Sequence, residues 1–192
     1  LEYTGAKKVN LYCVSHGGQV GATFLNLYGE KKADKLNNVL LTIPAIGGSP
    51  VAYGFFTGDI KFDEENLLYF IENGMMFEND YHWLLANENL DFIDDILEYF
   101  LPYVRHIMEF WGSMWDFVPS EEYDRIRDNY LNGSASAELI KKTDRFHHEI
   151  YPNMTKKLQN CVDAGINVYI IAGTGNRDII GYKATGDAII ST

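Results

Sequence analysis

The sequence predicts an α/β fold in which a small parallel sheet is interrupted by a large helical insertion. Three short runs have the composition of strands, at 9–14, 39–43 and 166–172. Helical spacing of apolar residues follows the first run and fills the long segment between the second and the third. Strands joined by helices are typical of parallel sheets. The sequence therefore divides into a core, formed by 1–50 and 151–192, and an insertion at 51–150.

The first strand runs directly into a turn that contains a serine. Val9, Leu11 and Cys13 alternate with other residues over a run of high strand propensity. Ser15 ends this run, and helical spacing covers 19–28. A strand that stops on a serine and turns at once into a helix is typical of a nucleophile elbow, in which a strained turn exposes the serine hydroxyl. The turn also points the first N–H groups of the helix at that hydroxyl.

The elbow motif, G-x-S-x-G, is matched here with one departure. The residues read Cys13-Val14-Ser15-His16-Gly17, so cysteine stands where the first glycine is usual. Cysteine is small, and we expect the glycines of the motif to be required because helix and strand crowd together there. The alternative is that Ser15 is only the N-cap of an ordinary helix, a position that serine favours.

The second strand is predicted at 39–43, where the apolar run is continuous. Such a run is typical of a strand that is buried on both faces of a parallel sheet. The loop 44–50 ends it. The spacing of strand, helix and strand predicts a right-handed crossover.

The insertion at 51–150 is rich in aromatic residues at helical spacing, with Pro102 and Pro119 as interruptions. Aromatic residues in such patterns most often fill a core. A helical layer above a sheet has a second face, however, and that face can meet an apolar ligand. We therefore predict a cap or lid here.

The third strand, 166–172, is predicted as a core strand that opens into a glycine-containing loop. Gly173-Thr174-Gly175 begins like a dinucleotide-binding loop, but Asp178 stands where the third glycine belongs, which disfavours such a site. Motifs for phosphate loops and for zinc are missing from the sequence. We expect neither a cofactor nor a metal.

Charge and hydropathy exclude two classes of partner. The formal net charge is −11, which opposes a general electrostatic interaction with nucleic acid. The sequence contains no apolar run long enough to predict a transmembrane segment. The two cysteines, Cys13 and Cys161, both stand in apolar contexts, and we do not expect them to form a disulfide.

Three segments, in this order along the chain, resemble the α/β-hydrolase superfamily. They are the elbow at 9–18, the strand and loop at 40–50, and the close at 170–175 followed by Gly186-Asp187. The resemblance is to the lipase-like branch that includes lecithin:cholesterol acyltransferase relatives and bacterial capped lipases. It implies a partial α/β-hydrolase parallel sheet in which 51–150 is the lid.

The same resemblance implies roles for particular residues. Ser15 would be the nucleophile, and the backbone N–H of His16 would donate to the oxyanion, whereas the His16 side chain would be incidental. Asp187 would be the acid of the triad. Asp178 competes for that role because it follows the third strand more closely. Either aspartate could instead form only an Asx turn in a loop.

The function implied is that of a serine hydrolase of the lipase or esterase kind. Its partner would be a small-molecule ester or lipid, which forms an acyl-enzyme on Ser15. Two alternatives stay open. An acyltransferase would pass the same acyl group to an alcohol, and a non-catalytic protein would keep the fold without the chemistry.

The histidine of the triad is not identified by the sequence. In this superfamily the order is serine, acid, histidine, but all five histidines precede Asp187: His16, His82, His106, His147 and His148. Adjacent His147 and His148 are expected on a polar helix face. We expect the chain to be a piece of a longer hydrolase, and the isolated piece to be nearly inactive because a triad member is missing.

Overall fold

The structure is a computed structural model that describes residues 1–58, 99, 101–103, 105–107, 110–130 and 137–173. Its main elements, in chain order, are β1 (Val9–Val14), α1 (His16–Phe24), β2 (Leu36–Thr42), α2 (Pro50–Thr57), α3 (Gly112–Asp116), α4 (Tyr123–Tyr130), α5 (Ala137–Arg145), α6 (Met154–Asp163) and β3 (Asn167–Ile171). Short π and 3-10 turns extend α1 and join α5 to α6, at Leu25–Gly29, Glu30–Lys32, Phe146–Ile150 and Tyr151–Asn153.

The three described strands form a parallel sheet in the order β1-β2-β3. Leu41 of β2 lies at the centre of the register, opposite Cys13 on one side and Ile170 on the other. This arrangement confirms the predicted parallel α/β sheet. The second strand begins three residues earlier than predicted because Leu36 also pairs with β1.

One face of the sheet carries the main core, against which α1 and α6 pack. Val39 and Leu41 point into this core and are fully buried. The buried residues of the cluster are Ala22, Leu25, Leu36, Val39, Leu41, Phe146, Ile150, Met154, Leu158, Cys161 and Ile166. Cys13 and Cys161 are both free thiols, as expected.

The opposite face of the sheet is much more exposed than predicted. Leu40 of β2 is only half-buried. Tyr12 of β1 is 68% exposed, and Tyr169 and Ile171 of β3 are 54% and 51% exposed. The expectation that β2 is buried on both faces is therefore wrong for this face. The expectation that β3 is a core strand is also wrong, because Ile170 on its other face is 53% exposed.

The described part of the insertion is helical, as predicted, and it has a second core. The buried residues there surround Trp115 and are Ala52, Phe56, Trp115, Val118, Tyr123 and Ile126. The ring centroids of Phe56 and Trp115 are 4.3 Å apart. Among the described helices, none has both the length and the apolar character needed to cross a membrane.

Candidate active site

Ser15 occupies a strained backbone conformation between β1 and α1. Its φ is 53° and its ψ is −123°, a region that residues other than glycine seldom adopt. Such a conformation costs on the order of 1–3 kcal/mol, and it is maintained only where the surrounding structure imposes it. The Ser15 side chain does not cap α1 by a hydrogen bond. The geometry is thus that of a sharp strand-to-helix turn, and the hydroxyl is not used as an N-cap.

Backbone hydrogen bonds impose this conformation. The N–H of Ser15 donates to the carbonyl oxygen of Thr42 at 3.0 Å, which ties the turn to the end of β2. The carbonyl oxygen of Ser15 accepts from the N–H groups of Gly18 at 2.8 Å and of Ala45 at 3.5 Å. Both backbone groups of Ser15 are therefore satisfied. Its exposed hydroxyl is left available, with no partner among the described residues.

Crowding between the strand and the helix does not require a glycine at position 17. A Cβ atom on Gly17 would meet nothing within 4 Å. A Cβ on Gly18 would lie 2.6 Å from the Cβ of Pro44, and one on Gly21 would lie 2.7 Å from the Sγ of Cys13. Our expectation is therefore wrong for Gly17. The close contact of helix and strand falls at Gly21, which leaves room for the side chain of Cys13.

Alanine substitutions at Gly17 and Gly18 test this difference. We expect Gly18→Ala to lower the free energy of unfolding by about 1–2 kcal/mol, because the new methyl group displaces Pro44. Gly17→Ala is expected to leave it unchanged or to raise it by up to about 1 kcal/mol, because alanine favours helix. Urea titrations of both variants measure the two changes. Equal losses would contradict the assignment of the crowded position to residue 18.

The N-terminus of α1 offers N–H groups beside the serine. The first N–H groups of a helix have no partner within the helix. Those of Gly18 and Gln19 bind the carbonyl oxygen of Ser15, whereas that of His16 makes no backbone hydrogen bond among the described residues. The His16 ring packs edge-on against Phe117 with centroids 4.4 Å apart, and burial lowers its pKa. The neutral ring therefore packs against the insertion.

Asp116, a titratable residue that sequence patterns do not single out, is held against this helix through its backbone. The side-chain amide of Gln19 donates to the carbonyl oxygen of Asp116 at 2.7 Å, which holds the end of α3 against α1. The Asp116 side chain is half-buried, and burial raises its pKa to about 6. Asp116 is therefore partly protonated near neutral pH. Sequence patterns gave no signal for it, because its burial comes from contacts between distant segments.

His147 is buried, contrary to its expected place on a polar helix face. Its Nε2–H donates to the carbonyl oxygen of Trp115 at 2.8 Å, and its Nδ1 lies 2.8 Å from the Ser120 hydroxyl. The ring stacks on Tyr123 at 3.9 Å between centroids. Burial lowers the pKa of His147 to about 4, so the ring is neutral. His148 is exposed, as expected, and pairs with Asp124 at 3.0 Å.

The other predicted site residues are not brought together by the described structure. Asp178, Asp187 and His82 lie outside the described residues. His106 is described and exposed, and its ring packs edge-on against Phe110. No cluster of His, Cys, Asp and Glu that could hold a metal ion occurs in the part of the chain that the structure describes.

Comparison of the chain with protein-family models, with curated proteins and with solved structures finds no match.

Proposed function

We propose that this chain is part of a serine hydrolase of the lipase or esterase kind, with Ser15 as its nucleophile. The observation that carries the proposal is the strained conformation of Ser15, at φ 53° and ψ −123°, between a parallel strand and a helix. Backbone strain at one polar residue is typical of functional sites. On this proposal the sheet belongs to an α/β-hydrolase fold, and the helices of the insertion at 51–150 form its lid.

The proposed chemistry follows from the position of the hydroxyl. The Oγ of Ser15 attacks the carbonyl carbon of an ester, while a histidine accepts the proton of the hydroxyl. The oxyanion that forms accepts a hydrogen bond from the N–H of His16. Asp187 orients the histidine. Collapse of the intermediate breaks the ester C–O bond, and the leaving oxygen takes the proton from the histidine and departs as the alcohol. Water then hydrolyses the acyl group on Ser15, which releases a carboxylic acid and restores the serine hydroxyl.

An apolar acyl group is favoured by the surface of the described insertion. Large hydrophobic side chains are exposed there, at 55% for Phe110, 57% for Trp111 and 65% for Ile107. Phe117 brings the same segment against His16, next to the serine. Exposed apolar surface is typical of regions that bind apolar ligands. A lipid-like ester is therefore the proposed substrate class.

Labelling with a fluorophosphonate probe tests the proposal. The probe forms a covalent adduct with an activated serine, and mass spectrometry identifies the labelled peptide. We expect an adduct on Ser15 when the probe is added to a lysate of the cells that make the protein. Ser15→Ala should reduce labelling by several orders of magnitude, because removal of the nucleophile abolishes the acyl-enzyme. Circular dichroism of each purified variant checks that it folds.

Ser113→Ala is the matched control, since it removes a partly exposed serine from α3. This variant should be labelled like the unchanged protein. An adduct on another serine, or none on a folded protein, would reject the nucleophile assignment and favour a non-catalytic protein. If Ser15 is labelled, the partition of acyl product between water and an added alcohol separates hydrolase from acyltransferase.

A further inference from the structure

A cavity of about 830 Å³ lies beside the loop that follows β2, and Ser15 is not among the residues that line it. The cavity is formed by the loop after β2, the turn before α4, the start of α6 and the end of β3. The residues that line it are Ile46, Gly47, Gly48, Pro50, Pro119, Ser120, Glu121, His147, Tyr151, Pro152, Met154, Thr155, Leu158 and Ile170. Its volume lies in the range of pockets that hold small organic molecules.

Two hydroxyl groups mark a polar end of this cavity, at Gly47. The N–H of Ser120 donates to the carbonyl oxygen of Gly47 at 3.4 Å. The hydroxyl of Tyr151 lies 3.5 Å from the place that a Cβ on Gly47 would take. The Tyr151 hydroxyl has no hydrogen-bond partner among the described residues. Ser120 and Tyr151 therefore both lie beside Gly47, and this part of the lining is the polar end of the cavity.

The hydrogen bond to His147 determines whether the Ser120 hydroxyl can donate or accept toward the cavity. This ring is only 4% exposed, and its Nε2–H is committed to the carbonyl oxygen of Trp115. Because a neutral imidazole carries one proton, Nδ1 must accept, and the Ser120 O–H donates to it. Ser120 then presents only lone pairs to the cavity, whereas Tyr151 presents an O–H that no described residue accepts. The polar end thus provides one acceptor and one donor.

The other side chains of the lining are apolar apart from His147, Glu121 and Thr155. Ile46, Met154 and Ile170 provide aliphatic wall, and α6 adds Leu158. Glu121 is the only acidic group among the described lining residues, and these include no lysine or arginine. A ligand with a carboxylate or phosphate group would find no counter-ion here, and its desolvation would be uncompensated. An uncharged ligand suits the cavity better.

We propose that this cavity binds an uncharged alcohol with an alkyl chain. The hydroxyl of the ligand donates to the Oγ of Ser120 and accepts from the O–H of Tyr151, which satisfies the donor and the acceptor of the site together. The alkyl chain lies along the aliphatic wall that includes Ile170. Binding at this site requires no chemistry at Ser15, so the proposal goes beyond the proposed hydrolase function and stands apart from it.

The test is a titration of the purified chain with 1-octanol, followed by NMR of ¹³C-labelled isoleucine methyl groups. The methyl signals of Ile46 and Ile170 are expected to shift with saturation. Ile170→Trp should fill the apolar wall and weaken binding at least tenfold. Ile171→Trp is the matched control: Ile171 is exposed to nearly the same extent on the opposite face of β3, so octanol binding should be unchanged.

Two further arms test the polar end. Tyr151→Phe removes only the donor and should weaken octanol binding about fivefold, the usual effect of one hydrogen bond. Octanoate at about pH 8 should bind at least tenfold more weakly than octanol, because its charge has no partner. Absence of octanol binding, equal binding of octanoate, or equal effects of the two tryptophan variants would overturn the proposal. Ser15→Ala should bind octanol normally, so failure of the hydrolase proposal would leave this one intact.

Discussion

Protonation of His147 is expected to lower the free energy of unfolding by about 3 kcal/mol as the pH falls from about 7 to about 4. The reason is burial, which lowers the pKa of this ring from 6.5 to about 4. The unfolded chain, with the higher pKa, binds the proton first. The stabilising contribution is therefore complete above about pH 6.5 and is lost as the pH falls toward the folded-state pKa.

The contribution of His147 is measured by comparison with His147→Gln, which does not titrate. Urea titrations of both proteins at several pH values give the difference in unfolding free energy, and this difference should shrink by about 3 kcal/mol between about pH 7 and about pH 4. Asp116 has the opposite effect on stability, because burial raises its pKa to about 6. Its effect is common to both proteins and cancels in the difference.

His148→Gln is the matched control for this prediction. His148 is the next residue but is exposed and pairs with Asp124 on the surface. Its removal should leave most of the pH dependence of the unchanged protein in place. If His147→Gln keeps the same dependence on pH as the unchanged protein, the ring is not held in its neutral form.

The strands and the serine turn could be predicted because their signals are local. The alternation of Val9, Leu11 and Cys13 fixes which residues of β1 face the core, and these are the half-buried ones. The order strand, serine and helix predicts the strained turn at Ser15, and the turn is present. The bounds of β2 shifted because its first residues, from Leu36, are less apolar and are held by pairing with β1.

Other features could not be predicted because they depend on contacts between distant segments. Crowding at Gly18 comes from Pro44, and crowding at Gly21 comes from Cys13. Neither contact can be inferred from the spacing of the motif, which predicts crowding at Gly17 instead. The burial of His147 could be predicted from spacing, because His147 lies three residues before buried Ile150 and thus on the same helix face. The polar chemistry of two adjacent histidines favours an exposed helix face, and here the position of His147 prevails over that chemistry.

Gly48→Ala is expected to lower the free energy of unfolding by about 3 kcal/mol. Gly48 has φ +102°, a conformation that alanine adopts only with strain. A Cβ there would lie 2.6 Å from the backbone of Pro119 and 2.7 Å from the carbonyl oxygen of Val118. Backbone atoms cannot move aside as a flexible side chain would, so the loop itself must shift.

Gly47→Ala is the matched control, one residue away in the same loop. Its new methyl group would meet only the Tyr151 hydroxyl at 3.5 Å, an ordinary contact, and we expect a change of at most about 0.5 kcal/mol. Urea titrations give both values. The loop also supports the serine turn, because the N–H of Ala45 donates to the carbonyl oxygen of Ser15. Gly48→Ala should therefore also reduce fluorophosphonate labelling of Ser15. Equal losses of stability in Gly47→Ala and Gly48→Ala would show that the loop does not specifically require glycine at position 48.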